Sequence, residues 1–318
     1  MSLRVSMPLR RTRRLSWPGR SGQPPVDGQD LYDERLYDDV ARDAAASVIR
    51  AYSSSFGLAS RLLQQPVRDR IAAVYALVRL ADEVVDGRMG VSHPDRAAEV
   101  LDRLELETTD ALAQGYSSNL VVHAFAATAR ECGIGADLVT PFFASMRTDL
   151  TVREHDAESF ARYVYGSAEV VGLMCLKAFL ATPGHDEGYD RDAYDRLAPG
   201  AQALGAAFQK VNFLRDLAED YRLRGRRYFP DVRPEQLTEA QKNLLLDDID
   251  ADLATAMTAV TLLPDSSRSA VAVAHAVFTD LAERLRATPA TEILRQRVRV
   301  PGPVKARIAV ATYLRDRS

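Results

Sequence analysis

A chain of 318 residues, 47% of them hydrophobic, can bury a large core, and its net charge of −3 argues against a dedicated nucleic-acid binder. Cys132 and Cys175 lie 43 residues apart without a CxxC partner, which excludes a disulfide framework or a cysteine-built zinc site and fits a reducing cytoplasm. The five histidines show no HExxH-like spacing. No apolar run approaches the roughly 18–20 residues of a membrane-spanning helix, so the protein is expected to be soluble or to rest on a membrane surface.

Residues 1–29 stand apart as a basic tail. Arg4, Arg10, Arg11, Arg13, Arg14 and Arg20 precede the first acid, and Ser16–Pro25 is rich in Ser, Pro and Gly. The tail lacks the apolar stretch of a secretory signal and is expected to be disordered, with a charge that suits the anionic inner face of a membrane. From residue 30 to 318 the pattern is helical almost without interruption. The periodicity predicts helices near 33–51, 66–87, 94–114, 119–132, 136–150, 157–182, 192–223, 239–262, 267–287 and 302–315. No strand-like alternation, fixed-period repeat or Pro/Gly-rich linker interrupts them, so one all-α domain is expected.

The second of these helices carries Tyr75, Arg79, Asp82 and Asp86 within about 60° of one another, while the rest of its circumference is apolar. A helix apolar nearly all round is buried, so this charged strip must face something other than bulk water. Asp82 and Asp86 form a like-charge i,i+4 pair in the last turn before Gly87, an expected C-cap, where the helix dipole also disfavours them. A divalent cation removes both objections, and Mg²⁺ prefers one or two carboxylates per ion with water and phosphate oxygens.

Gln209, Asn212, Asp216, Glu219 and Asp220 share a polar stripe about 100° wide on the helix near 192–223. Asp216 and Asp220 repeat the acid pair, with amides for neighbours and no cation four residues away on the body of the helix. An ordinary surface helix has the same outline. Two such helices facing each other across a bundle would instead create one deep pocket with opposed carboxylates. Arg222, Arg224, Arg226 and Arg227 follow, and guanidinium groups suit diphosphate.

These residues resemble the squalene/phytoene synthase family. The resemblance rests on Ser53-Ser-Ser-Phe56, Tyr75-Ala-Leu-Val-Arg79-Leu-Ala-Asp82-Glu-Val-Val-Asp86, Tyr163-Val-Tyr-Gly-Ser-Ala-Glu-Val-Val-Gly172 and Gln209-Lys-Val-Asn212-Phe-Leu-Arg215-Asp216-Leu-Ala-Glu-Asp220. Arg226-Arg-Tyr228-Phe-Pro follows in family order. It implies an α-helical isoprenoid synthase bundle with a central cavity. The implied reaction joins two geranylgeranyl diphosphates head to head, with Mg²⁺ (Mn²⁺ as substitute) and no NADPH, and the net charge adds no nucleic acid partner. By the same resemblance Asp82, Asp86, Asn212, Asp216 and Asp220 would hold metal. Arg79, Arg215, Arg226, Tyr228 and the late Arg297 would contact diphosphate, with Gln209 nearby. Tyr75, Ser53 and Phe56 would line the first motif's mouth, and Tyr163 the central cavity. Val170–Leu180 and Leu204–Phe213 are candidates for a prenyl tunnel.

Glu169 replaces a small residue of the family pattern, Phe278 stands where relatives often have tyrosine and receives no role, and the basic tail has no counterpart. Arg222 and Arg224 are expected to face solvent. A squalene or dehydrosqualene synthase acting on farnesyl diphosphate and a non-catalytic scaffold on the same fold remain alternatives, although both acid motifs are complete.

Overall fold

The computed structural model describes residues 34–53, 55–182 and 188–316, so the tail at 1–29 lies outside the described residues. Nearly every expected helix forms within two residues of its expected ends. The first half of the chain supplies α1 (Glu34–Tyr52), α2 (Ser55–Ser60), α3 (Val67–Asp86), α4 (Arg88–Ser92), α5 (Pro94–Gln114), α6 (Leu120–Cys132), α7 (Ala136–Thr151), α8 (Ala157–Val164) and α9 (Val170–Leu180). The second half supplies α10 (Arg191–Glu219), α11 (Glu239–Val260), α12 (Arg268–Ala287), α13 (Ala290–Ile293) and α14 (Gly302–Asp316). Among the described residues extended pairing is limited to isolated bridges.

The helix ends follow local chemistry. Asn119 accepts backbone N–H bonds from Val121 and Val122 to start α6, while Asp156 with Ser159 and Thr238 with Gln241 form reciprocal capping boxes. Gly87 ends α3 as expected, but with an extended backbone (φ −72°) that leads straight into α4 rather than a left-handed cap. The short α2, α4 and α13 have too few residues for a periodic pattern, and the sequence does not announce them.

Two helices organise the rest. α3 packs against α1, α5, α6, α7 and α9, while α10 packs against α9, α11 and α12. Each sits in its own apolar cluster, one around Leu77, Leu101, Phe125 and Phe143, the other around Val211, Leu214, Leu246 and Ile249. α9 and α10 cross at bare backbone. A Cβ on Gly172 would lie 2.4 Å from the Ala201 carbonyl oxygen, and one on Gly205 would lie 2.4 Å from that of Ala168. This approach brings the α3 and α10 halves together with a cavity between them.

Two expectations are corrected. The helices near 157–182 and 192–223 are not uniform, because π-helical turns interrupt them at Tyr165–Glu169 and Asp220–Arg224. The helical run Ala157–Leu180 is also long and apolar enough to cross a membrane, contrary to the reading of the sequence. It is 67% buried over its most apolar window, which makes it a core element of the bundle.

Candidate active site

Asp82, Asp86, Asp216 and Asp220 line one cavity of about 600 Å³. The facing arrangement follows from a direct link between the two acid helices. Arg224 donates from Nη1 to Asp220 Oδ1 at 2.8 Å, and its Nε lies 3.8 Å from Asp86 Oδ1. The π-helical turn makes that link, because it carries the chain from Asp220 to Arg224 without leaving the mouth. Arg224 therefore lies on the cavity wall, against the expectation of solvent, whereas Arg222 is exposed. Arg224 also supplies Asp220 with the i,i+4 cation the sequence reading denied it.

Burial pushes Asp82 up to about 7, with the Asp86 charge adding to it. Part of its surface remains open to the cavity, so the group is surrounded by protein without being sealed. Asp220 is likewise pushed up to about 7 by burial, against the pull of Arg224 and with the Asp216 charge adding. Two acids held this way are poorly compensated as anions.

Beneath the mouth lies a buried polar frame. Arg226, expected against diphosphate, is only 4% exposed and is absent from the cavity wall. Its Nη1 donates to Asp86 Oδ1 at 2.5 Å and to the Tyr228 hydroxyl at 3.0 Å, and its Nε donates to the Asp149 carbonyl at 3.1 Å. A guanidinium committed this fully supports the mouth from beneath. Asp149 completes the frame. It accepts the Tyr163 hydroxyl at 2.7 Å and the Tyr228 hydroxyl at 3.0 Å, and pairs with Arg226 at 3.3 Å. Burial raises its carboxyl to about 6, with Arg226 opposing. Reasoning from sequence missed Asp149. The available signal was a carboxylate at helical spacing from the buried Phe142 and Met146, on the core face of α7.

Tyr163 and Tyr228 both reach the cavity wall, and Phe213 joins them. The Phe213 and Tyr228 rings stack at 3.9 Å between centroids, and Tyr163 lies 5.3 Å from Tyr228. Burial raises both phenols well above the usual tyrosine range, so they remain protonated donors to Asp149.

On the α10 side Asp216 is clamped by arginines, not surrounded by amides alone. Arg297 donates from Nε to its Oδ1 at 2.7 Å and from Nη2 to its Oδ2 at 3.0 Å, while Arg215 Nε donates to Oδ1 at 2.9 Å. Arg215 and Arg297 both line the cavity. Asn212 lines it beside them, and Gln209 donates to the Ser167 hydroxyl at 3.3 Å on the same wall. On the α3 side Arg79 pairs with Glu83 and lies 4.5 Å over the Tyr52 ring, and Tyr75 lines the wall. Ser53 stands behind Tyr75, hydrogen-bonded to its phenol, and accepts the Gly57 N–H at 3.2 Å at the start of α2, as an N-cap would. The Phe56 side chain lies outside the described residues.

Away from the mouth the wall becomes apolar. Leu176 and Phe179 of α9 and Leu204 and Phe208 of α10 line it, as do α11 and α12 through Val260 and Val271. Leu173 points instead into the core around α3. Phe278 lies behind the wall, stacked on Phe208 at 3.8 Å. Glu169 accepts a hydrogen bond from Gln202 at 3.2 Å and is not part of the wall.

The family profile of squalene/phytoene synthases matches residues 49–303, most of the chain and every motif residue above. The chain belongs to the squalene/phytoene synthase family. The solved structures below share its all-α fold. A phytoene synthase of Mycobacterium bovis is 28% identical over 286 residues, covering 83% of this chain and 88% of that one. A 4,4'-diapophytoene synthase of Staphylococcus haemolyticus is 28% identical over 206 residues, covering 64% of this chain and 66% of that protein, just under two thirds of its length. The chloroplast phytoene synthase 3 of Zea mays is 34% identical over 184 residues, and the match spans 41% of that protein. Among solved structures, a dehydrosqualene synthase superposes with a TM-score of 0.69 at 21% identity, covering 89% of this chain and 99% of that one.

Proposed function

We propose that this family member is a phytoene synthase, condensing two geranylgeranyl diphosphates through a cyclopropyl diphosphate to phytoene in carotenoid biosynthesis. The observation that carries the reading is a single cavity with a mouth of carboxylates and arginines and an apolar interior. The wall is long enough for the longer substrate. From Asp86 back to Ile71, both on the wall, α3 rises about 22 Å at ~1.5 Å per residue. An extended geranylgeranyl chain reaches roughly 20 Å at ordinary carbon bond lengths and a farnesyl chain roughly 15 Å.

The donor set fits Mg²⁺. Asp82 and Asp220 are strained as bare anions, and Asn212 adds an amide oxygen between the acids. No group of three acids, histidines or cysteines converges among the described residues. Asp82 with Asp86, and Asp216 with Asp220 and Asn212, would therefore hold ions through one or two carboxylates each, leaving room for diphosphate oxygens and water. When bound, Mg²⁺ supplies the positive charge against which diphosphate leaves.

The chain's own residues supply the rest. Arg79 and Arg224 each keep a buried Nε without a hydrogen-bond partner on the cavity wall, and both are suited to donate to diphosphate oxygens. Tyr163 and Tyr228 donate their hydroxyl hydrogen bonds to Asp149, and Tyr228 also accepts from Arg226, so ring density is what remains to stabilise an allylic cation. The apolar wall keeps water from that cation.

Incubation with both prenyl diphosphates and Mg²⁺, with and without NADPH, tests the reading by product mass. The expected result is a forty-carbon hydrocarbon whose yield is indifferent to NADPH. A thirty-carbon product would move the chain to the squalene-type branch, and no hydrocarbon at all would end the proposal.

A further inference from the structure

The apolar end of the cavity is closed at a defined depth. On α3 the wall descends from Asp86 to Ile71, and Val67, one turn further, is buried and no longer part of it. Val67 instead forms a small buried cluster with Leu63, from the turn after α2, and Ala270 of α12. Leu63 and Ala270 also lie on the wall, and Ile71 and Phe179 pack against the cluster, so it lies across the end of the cavity. α10 gives a comparable depth, since Gly200 and Leu197 on the wall stand about 24 and 28 Å from Asp216 at ~1.5 Å per residue.

The closure is braced from outside. Arg68 donates from Nε and Nη2 to the Leu63 carbonyl at 3.0 and 2.7 Å, and from Nη2 to the Arg61 carbonyl at 2.9 Å. The Gln64 N–H donates to the Ser266 carbonyl at 3.0 Å, which ties the same turn to the start of α12. Leu63 is therefore held against α12, and the floor is a fixed stop. Of the side chains that meet there, Leu62, Leu63, Val67, Ile71 and Phe179 are large and Ala270 alone is small. The α12 wall positions Ala270 and Ala274 are about one turn apart, roughly 5.4 Å, close to the ~5 Å length of one isoprene unit.

We propose that Ala270 sets the length of prenyl chain the cavity accepts, because its small side chain leaves the space for the fourth isoprene unit, with Leu63 as the stop beneath. The inference rests on the prenyl-transfer reading and adds the residues that choose the substrate. Ala270→Phe places a ring that reaches roughly 4 Å beyond Cβ, close to the length of that last unit. The overpacking acts on a twenty-carbon chain and spares a fifteen-carbon chain, whose end lies about one helical turn nearer the mouth. Leu63→Ala does the reverse and opens room for a fifth unit.

The test offers equal amounts of fifteen- and twenty-carbon prenyl diphosphates to the full chain with Mg²⁺ and reads the product masses. Ala270→Phe should lower the ratio of twenty- to fifteen-carbon substrate consumed by roughly ten- to hundred-fold. A partly unfolded sample consumes less of both and leaves that ratio alone, so a shift reports the floor and not a folding defect. Leu63→Ala should consume a twenty-five-carbon prenyl diphosphate roughly ten-fold faster than wild type, a gain that misfolding does not produce. An unchanged ratio in Ala270→Phe, or no gain in Leu63→Ala, would overturn the assignment. Calorimetric titration with unreactive thiodiphosphate analogues of the same chain lengths should show the same shifts in Kd without turnover. Wild type that forms no hydrocarbon while the variants shift these affinities would count against the condensation and keep the floor. Product with unshifted ratios would count against the floor alone.

Discussion

The two acid pairs of the mouth look alike in sequence and are built differently. On the α3 side Asp86 is bound to a guanidinium that is itself 4% exposed and shared with Asp149. On the α10 side Asp216 is held by Arg215 and by Arg297, whose side chain is 41% exposed. The first arrangement is part of the core and fixes where Asp86 stands. In the second, Arg297 is the exposed member and can release its carboxylate to a competing charge at little cost, because ion pairs to an exposed arginine contribute little. Asp82 differs from both. Among the described residues it has no ion pair, and burial has already raised its carboxyl to about 7. Of the four acids, it gains most from an added cation.

Removing one arginine from each side gives the largest contrast. Arg226→Gln leaves the buried Asp149 without its cation and should cost about 3–5 kcal/mol of stability. Arg297→Gln should cost no more than about 1 kcal/mol. Denaturant unfolding of the two proteins measures both, and equal losses would break the distinction between frame and clamp.

Neutralising one carboxylate in each pair comes next. Asp82→Asn should lower turnover by about 10²–10³, the scale for a group that stabilises developing charge. The same change should slightly raise the melting temperature of the metal-free protein, since it removes a buried like charge beside Asp86. Asp216→Asn should also lower turnover but slightly lower that melting temperature, because Arg215 and Arg297 lose their partner. The opposite signs are the informative result, and matching signs would show that the two pairs are equivalent after all.

The smallest effect is with pH. Asp82 and Asp220 at about 7 and Asp149 at about 6 all lie above their ordinary value of 3.8. The folded protein therefore binds these protons more tightly than the unfolded chain, and the stability they contribute is lost as pH rises through about 6 to 7. Metal-free protein should melt a few degrees higher at pH 5.5 than at pH 8, and the gain from added Mg²⁺ should be larger at pH 8. Calorimetry at the two pH values checks the sign, and a metal-free protein that is more stable at pH 8 would contradict it.

Much of the site was legible because it lies on regular helices. Tyr75, Arg79, Asp82 and Asp86 share a face by arithmetic alone, as do Gln209, Asn212, Asp216 and Asp220, and all eight reach the same cavity wall. Helix periodicity also pointed to segments of the tunnel, although it could not separate Leu176, on the wall, from Leu173, in the core. What escaped was the traffic among charges. Arg224 and Arg226 are two residues apart, yet Arg224 lies on the wall and Arg226 beneath it. The π-helical turn at Asp220–Arg224 and the left-handed Gly225 after it set that difference. Neither has a period that a sequence displays.

The sequence by itself determined the all-helical architecture, the apolar faces and the spacing of the acids, because each depends on residues within a turn or two of one another. Only the tertiary structure decided which arginine serves which acid. Arg226 meets Asp86 across 140 positions, Arg297 meets Asp216 across 81, and Asp149 collects hydroxyls from Tyr163 and Tyr228, 14 and 79 positions away. A charged side chain changes its role with burial and with the partner brought to it, and both come from how α3, α7 and α10 pack.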